Sequence, residues 1–242
     1  MIYLDYNATT PIDPRVAEAM RPFLGEYFGN PSSSHRLGRE AHSAVEEARK
    51  QVAESIGAKP ENIVFTGGGS ESNNLALKGI IEATGSKGRM ITSVFVHRAV
   101  CEVCDWLESQ GTLVDRLPVS SNGTIELPVL EKMLQKPVNL VSVMHANNEI
   151  GTVQPIAKIA EAAHKVGALV HTDAAQSLGK IPVNVNVLGI DLLTIAGHKL
   201  YTHKGIGALY IRDGVRLAKQ MHGASHERNL RAGTENALQI VG

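Results

Sequence analysis

A lysine stands at an unfavourable place in the segment LLTIAGHKLYTH, residues 192–203. An apolar run that is typical of a buried strand stops at Gly197, and Lys199 follows two residues later. Because an ammonium group is costly to remove from water, Lys199 either turns outward to solvent or serves a reaction that needs an amine. The side chains that the fold brings close to Lys199 decide between these alternatives.

Polar groups also follow several other apolar runs. Asp173 ends the run ALVHTD, where a carboxylate is costly unless it meets a cation or several donors, although capping a helix or binding backbone N–H groups is the commoner use. His97 follows the run RMITSV and could equally be an ordinary core or edge histidine. The turn TGGGSE, residues 66–71, enters a helix, so its N–H groups either hold a phosphate or merely close a tight turn.

Taken together, these groups match the needs of pyridoxal phosphate. That cofactor requires an amine for a Schiff base, a carboxylate opposite its ring nitrogen, a flat group over its ring and a phosphate site. Lys199, Asp173, His97 and the turn at residues 67–70 supply the four roles, each at the end of an apolar run. A random α/β protein would rarely collect all four.

A metal site is the competing interpretation. His97, Cys101 and Cys104 are spaced by four and three residues, so one continuous helix would place them on one face. However, His97 is expected to precede the helix, and no fourth ligand suggests itself. We therefore predict no metal, and we expect the two cysteines to pack among apolar neighbours rather than act as nucleophiles.

The elements that position these residues are alternating strands and helices. Nearly continuous apolar runs predict strands covered on both faces, in an α/β fold whose seven-stranded sheet is mainly parallel with helices on both faces. The predicted strands are ENIVF, RMITSV, TLVDRLPV, NLVSVM, ALVHTD, DLLTIA and GIGALYIR. Helices are predicted after each of the first four strands, the first of them beginning at a serine cap in SESNNLALKGIIEA, and for residues 35–57 before the first strand. Ligands bind beyond the carboxyl ends of parallel strands, so we predict that the binding site lies at the edge of the sheet where these ends meet.

Composition narrows the class of protein. The 24 Lys plus Arg residues balance the 24 Asp plus Glu residues, which argues against nucleic acid or an anionic membrane as a partner. Two cysteines and no signal or transit segment predict a cytoplasmic protein in a reducing compartment. Residues 1–30 are predicted to form an extended arm, and residues 31–242 one large domain. Because a helix only begins in RAGTENALQIVG, we expect a truncated chain.

The motifs resemble, in order and spacing from residue 2 to 242, the cysteine desulfurase and selenocysteine lyase family of pyridoxal-phosphate enzymes. They are YLDYNATTP, FGNPSSSH, VFTGGGSESNN, MHANNEIGTVQPI, HTDAAQSLGK, GHK, KGIGALYIR and HERNLRAGTEN. The resemblance implies the large domain of such a transferase, in a homodimer, with a smaller C-terminal domain that this chain lacks. It also implies removal of sulfur from L-cysteine, or of selenium from L-selenocysteine, to leave alanine, for a sulfur acceptor or scaffold protein in iron–sulfur cluster assembly.

The resemblance also implies roles for individual residues. Lys199 would bind the cofactor covalently and move protons, and His97 would stack on the ring as an acid–base group. Asp173 would pair with the ring nitrogen, Gln176 with the phenolic oxygen, and Asn148 with the substrate carboxylate. The phosphate would be held by Gly69, Ser70 and His198, and by Thr234 of the neighbouring subunit.

Several positions depart from the family pattern. Ala196 replaces a phosphate-binding serine, which tilts slightly toward the selenocysteine lyases, and Thr202–His203 replaces a Gly-Pro after the lysine. The family's catalytic cysteine loop and substrate-binding arginine match nothing in this chain, and neither Cys101 nor Cys104 replaces that cysteine. We therefore predict that this polypeptide alone binds the cofactor without completing desulfuration. A truncated, non-catalytic paralogue that acts through dimerisation is the alternative.

Overall fold

The computed structural model describes residues 2–85 and 88–242. Its centre is one seven-stranded sheet, as the apolar runs predict. The strands are β1 (Ile63–Thr66), β2 (Arg89–Ser93), β3 (Leu113–Leu117), β4 (Leu140–Met144), β5 (Leu169–Asp173), β6 (Leu192–Ala196) and β7 (Gly207–Ile211). The spatial order is β1-β7-β6-β5-β4-β2-β3; β7 runs antiparallel to β1 and β6, and the other neighbouring pairs are parallel.

Helices cover both faces of the sheet, which confirms the predicted layers. They are α1 (Pro14–Met20), α2 (Arg36–Ser55), α3 (Gly69–Ala83), α4 (Arg98–Ser109), α5 (Leu127–Met133), α6 (Ile156–His164), α7 (Val185–Leu188) and α8 (Ala237–Val241). The apolar residues of α2, α5 and α6 pack in one core, and those of α3 and α4 pack in a second core on the other face. Among the described residues, no helix is both long and apolar enough to cross a bilayer.

Three local predictions were wrong. The arm at residues 1–30 is not extended throughout, because Asp13 caps α1 by accepting a hydrogen bond from the N–H of Arg15 (2.8 Å) and Pro14 begins the helix. Helix α3 begins after Gly68 rather than at a serine cap. Strand β3 is not covered on both faces, because it lies at the sheet edge with Leu113 exposed.

A buried ion pair joins α2 to the C-terminal segment. Arg49 donates two hydrogen bonds to Glu227, of 2.7 and 2.8 Å, and Glu227 also accepts from the N–H of Phe65 at 2.8 Å. The residues from Glu227 to Asn229 all have positive φ, a backbone conformation that costs free energy in residues other than glycine. The ion pair therefore holds a strained segment against the end of the sheet.

A polar ladder crosses the middle of the sheet. The ring of His171 on β5 bonds Ser142 on β4 (2.8 Å) and Thr194 on β6 (3.0 Å). His171 is fully buried, and burial lowers the pKa of its imidazole from 6.5 to about 3. Because both ring nitrogens bond hydroxyl groups, the neutral imidazole keeps the three strands in contact beneath the carboxyl-end edge.

This ladder predicts a specific acid sensitivity. Because the folded state resists protonation of His171 while the unfolded chain does not, stability is fully present above about pH 6.5 and falls as the pH drops toward 3. Between pH 7 and 5 we expect His171 alone to cost about 2 kcal/mol of unfolding free energy. Urea unfolding of the wild type and of His171→Gln at pH 7 and pH 5 measures this loss of unfolding free energy. An equal pH dependence in both proteins would contradict this assignment.

Candidate functional site

The carboxyl ends of the parallel strands open on a cavity of about 550 Å³. Eight of the nine residues that the sequence nominates for a site line it. These are Gly69, Ser70, His97, Asn148, Asp173, Gln176, His198 and Lys199. Asp5, Asn7 and Ala8 of the N-terminal arm complete its wall.

Lys199 lies in a short 3₁₀ helix, Gly197–Lys199, directly after β6. Its ammonium group contacts the backbone carbonyls of Asn7 and Ala8, the latter at 2.9 Å. Burial and then the charge of Lys180 lower the pKa of Lys199, while Asp5 and Asp173 act in the opposite direction. A lowered pKa leaves more of the amine neutral, which is the form that attacks a carbonyl group.

Asp173 ends β5 and is 4% exposed. One carboxylate oxygen accepts from the N–H of Ala175 at 3.0 Å, and the other accepts from the amide of Asn73 at 2.9 Å. These two hydrogen bonds from uncharged donors fix the orientation of the side chain. Asp173 therefore presents its carboxyl group at the cavity wall.

The start of α3 offers donors for an anion. Gly68 precedes it with a φ of 145°, and the first N–H groups of the helix have no partner within it. A Cβ on Gly69 would lie 3.2 Å from the methyl carbon of Ala196, so the missing side chain permits the close approach of α3 to the end of β6. Ser70 adds a hydroxyl group at this end of the cavity.

His198 borders the same anion-binding end. Its Nδ1 lies 3.2 Å from the hydroxyl of Thr9, and its carbonyl accepts from the hydroxyl of Thr10 at 2.9 Å. Burial, and then the charges of Lys199 and Lys204, lower the pKa of His198. The imidazole is therefore neutral at neutral pH and can donate one hydrogen bond.

The N-terminal arm also contacts the cavity through Asn7. Gln176 donates to the carbonyl of Asn7 at 2.9 Å, and the amide of Asn7 donates to the carbonyl of Asn148 at 2.9 Å. Because Lys199 donates to the same carbonyl of Asn7, and His198 contacts Thr9 and Thr10, the arm contacts four of the nominated residues.

The loop after the lysine is also held by the arm. Tyr201 has a φ of 61°, a strained value for a residue with a side chain. Its N–H donates to the hydroxyl of Thr10 at 3.0 Å, and its carbonyl accepts from the N–H of Asp13 at 2.9 Å. Thr202, which departs from the family pattern, is buried with its hydroxyl unpartnered.

His97 caps α4 at the cavity wall. Its Nδ1 accepts a hydrogen bond from the N–H of Ala99 at 3.1 Å, so His97 precedes the helix as expected. That bond leaves Nε2 as the ring nitrogen available to a ligand.

Thr234 is the one nominated residue outside the cavity. It lies beside a separate cavity of about 170 Å³, together with Thr66 and Gly67. A role toward the phosphate of a neighbouring subunit stays a prediction.

The cysteines do not form a reactive centre. Cys104 is buried, and burial raises the pKa of its thiol to about 12, while burial also raises the pKa of Cys101. Both therefore stay protonated at neutral pH and are poor nucleophiles. Within residues 2–85 and 88–242, no group of three or more His, Cys, Asp or Glu side chains is arranged to hold a metal ion.

Two features of the site were not predicted from the sequence. Asn73, 1% exposed, bonds Asp173 across a separation of 100 residues, although it lies one helical turn after the nominated Ser70 and could have been found by that spacing. The contacts of Lys199 with the backbone carbonyls of Asn7 and Ala8 were not predicted, because every residue has a backbone carbonyl and the sequence does not show which ones bind a side chain.

Known proteins similar to this chain share both sequence and fold. The sequence profile of the aminotransferase class-V family matches residues 2–242. Cysteine desulfurase IscS of Dictyoglomus turgidum is 52% identical over 242 residues, and that of Salmonella arizonae is 51% identical over 247 residues. The chain is fully covered and spans 61% of the length of these two relatives.

Solved structures agree in fold. A NifS-like protein superposes with a TM-score of 0.97 at 42% identity, over 99% of this chain and 67% of that one. A structure described as SspA in complex with cysteine gives a TM-score of 0.96 at 42% identity, over 100% of this chain and 70% of that one. The chain therefore belongs to the aminotransferase class-V family, and the relatives that it matches include cysteine desulfurases.

Proposed function

We propose that this chain binds pyridoxal 5′-phosphate and contributes the cofactor site of a cysteine desulfurase. The observation that carries the proposal is the convergence of an amine, a carboxylate and a helix start on one cavity of about 550 Å³. Family membership supports the same cofactor.

The residues present fit this group. Helix α3 provides N–H donors at its start and, one turn later, provides Asn73, which holds the carboxylate of Asp173. Helix α3 therefore connects the proposed phosphate site at its own start with the carboxylate of Asp173, which is proposed to face the cationic ring nitrogen. The amine of Lys199 reaches the cavity wall from the end of β6.

When bound, pyridoxal phosphate withdraws electrons from the Cα of an amino acid. Asp173 would keep the ring nitrogen protonated, and the amide of Gln176 would donate to an oxygen on the ring. Gly69, Ser70 and His198 would hold the phosphate, and His97 would lie over the ring with Nε2 free to move a proton. Lys199 would accept and return a proton at the substrate Cα, and Asn148 would orient the substrate carboxylate.

L-cysteine is the proposed substrate and L-alanine the proposed product, since the relatives are described as cysteine desulfurases and one similar structure as a complex with cysteine. L-selenocysteine is the alternative substrate. A homodimer with Thr234 facing the neighbouring phosphate, a sulfur-acceptor partner and a cytoplasmic location are part of this proposal. The absence of desulfuration by this polypeptide alone also stays a prediction, which the raised pKa values of Cys101 and Cys104 support.

Spectroscopic titration tests the proposal. Purified chain titrated with pyridoxal phosphate should develop a saturable visible absorption band, which L-cysteine or L-selenocysteine then perturbs more strongly than L-serine at equal concentration. A saturable band that no amino acid perturbs would support a cofactor site without substrate binding. No band at saturating cofactor would contradict the proposed function.

Ala196 offers a further prediction at the phosphate end. Because its methyl group faces the start of α3, Ala196→Ser should add one hydroxyl donor and tighten pyridoxal-phosphate binding by roughly 3- to 10-fold, the effect of one net hydrogen bond. Equilibrium titration measures the change. Ala196→Gly adds no donor and serves as the control, and equal tightening in both variants would show that the hydroxyl is not responsible.

A further inference from the structure

Lys180 lies behind the cavity wall and outside its lining. It follows β5 by seven residues, and its ammonium group donates to the side-chain oxygen of Gln176 at 2.7 Å. The other end of the same amide donates to the carbonyl of Asn7 at 2.9 Å. Lys180 and the arm therefore hold Gln176 from opposite sides.

The charge of Lys180 decides which way the Gln176 amide points. An ammonium group can only donate hydrogen bonds, so it must face the amide oxygen. The NH₂ group of Gln176 must then face the arm and the cavity. Because the carbonyl of Asn7 accepts from both Gln176 and Lys199, a continuous series of hydrogen bonds leads from Lys180 to the amine at the centre of the site.

We propose that Lys180 is a positioning residue that fixes Gln176 as a hydrogen-bond donor toward the cavity and acts on the Lys199 amine from behind the cavity wall. The first part rests on the proposed function, because a donor at Gln176 matters for an electron-rich oxygen on a bound ligand. The second part concerns the chain without any ligand.

Lys180 acts on the Lys199 amine in the opposite direction to the nearby carboxylates. Asp5 of the arm and Asp173 at the end of β5 favour the charged ammonium, whereas Lys180 opposes it. The other titratable groups that line this cavity are His97, Glu149 and His198, and Glu71 and Lys204 line the neighbouring cavity beside His198. Lys180 is thus the cation whose removal should make the Lys199 amine more basic.

Amine labelling of the cofactor-free chain tests the second part. Trinitrobenzenesulfonate reacts only with neutral amines, so labelling of the Lys199 peptide, followed by mass spectrometry across a pH series, gives the midpoint for Lys199. Lys180→Met should move that midpoint to higher pH, and Lys180→Arg, which keeps the charge and the donors, should leave it near the wild-type value. Circular dichroism confirms that each variant is folded.

Cofactor titration of the same variants tests the first part. Freed from Lys180, the Gln176 amide can turn its oxygen toward the cavity, so Lys180→Met should weaken pyridoxal-phosphate binding roughly 3- to 10-fold, and Lys180→Arg should restore it. An unchanged midpoint together with unchanged affinity in Lys180→Met would overturn the proposal. If the wild type itself bound no cofactor, the proposed function would fail, while the labelling midpoints would still decide whether Lys180 acts on Lys199.

Discussion

Lys199→Ala is expected to abolish covalent attachment of pyridoxal phosphate. The amine of Lys199 is the one that the 3₁₀ helix after β6 delivers into the cavity, and its lowered pKa favours the nucleophilic form. Borohydride reduction, which converts a Schiff base into a stable amine, should give a cofactor adduct on the wild type and none on the variant. Intact-mass measurement after reduction provides the readout.

Lys199→Arg separates the two roles of this side chain. Arginine remains charged at all accessible pH values but can still donate to the carbonyls of Asn7 and Ala8. We expect it to keep the arm in place and still give no adduct. Lys158→Ala on α6 removes an exposed lysine and should retain the full adduct. An adduct of wild-type yield on Lys199→Ala would rule out the assigned amine.

Asp173→Asn is expected to weaken pyridoxal-phosphate binding by roughly two to three and a half orders of magnitude. The variant keeps the shape of the side chain but removes the buried carboxylate that, in the proposed cofactor complex, would face the protonated ring nitrogen. Loss of one partner from a buried ion pair costs about 3–5 kcal/mol, and each factor of ten in affinity corresponds to about 1.4 kcal/mol. Equilibrium titration monitored by absorbance measures the loss.

Asp191→Asn is the matched control for that experiment. Asp191 is equally buried and accepts from the N–H of Val170 at 2.8 Å and lies 2.8 Å from His164, but it does not line the cavity. We expect this variant to lower thermal stability while leaving cofactor affinity near the wild-type value. If both variants lost affinity equally, the effect at Asp173 would be structural rather than electrostatic.

The sheet was predictable because its strands are short apolar runs. Strands β1, β2 and β4–β7 are largely buried, so their sequences carry the signal of Val, Ile and Leu. Strand β3 lies at an edge and contains Asp115 and Arg116, which weakens that signal. The sequence also shows which residues follow each strand, and parallel pairing then brings Asp173 and Lys199 to one edge.

The partners of these residues were less predictable. The bond from Asn73 to Asp173 spans 100 residues, and that from Asn7 to Asn148 spans 141. Such contacts depend on how α3 and the arm pack against the sheet, which local patterns do not determine. A role for Lys180 was not predicted for a different reason. An exposed lysine usually has no specific function, and only the hydrogen bond to Gln176, seen in the structure, distinguishes Lys180.

The most direct test of the central claim is the position of the cofactor adduct in the wild-type chain. Purified protein is incubated with pyridoxal phosphate, reduced with borohydride, digested and examined by tandem mass spectrometry. We predict a single saturable adduct on the peptide that contains Lys199. An adduct spread over surface lysines such as Lys158, with Lys199 unmodified at saturating cofactor, would contradict it.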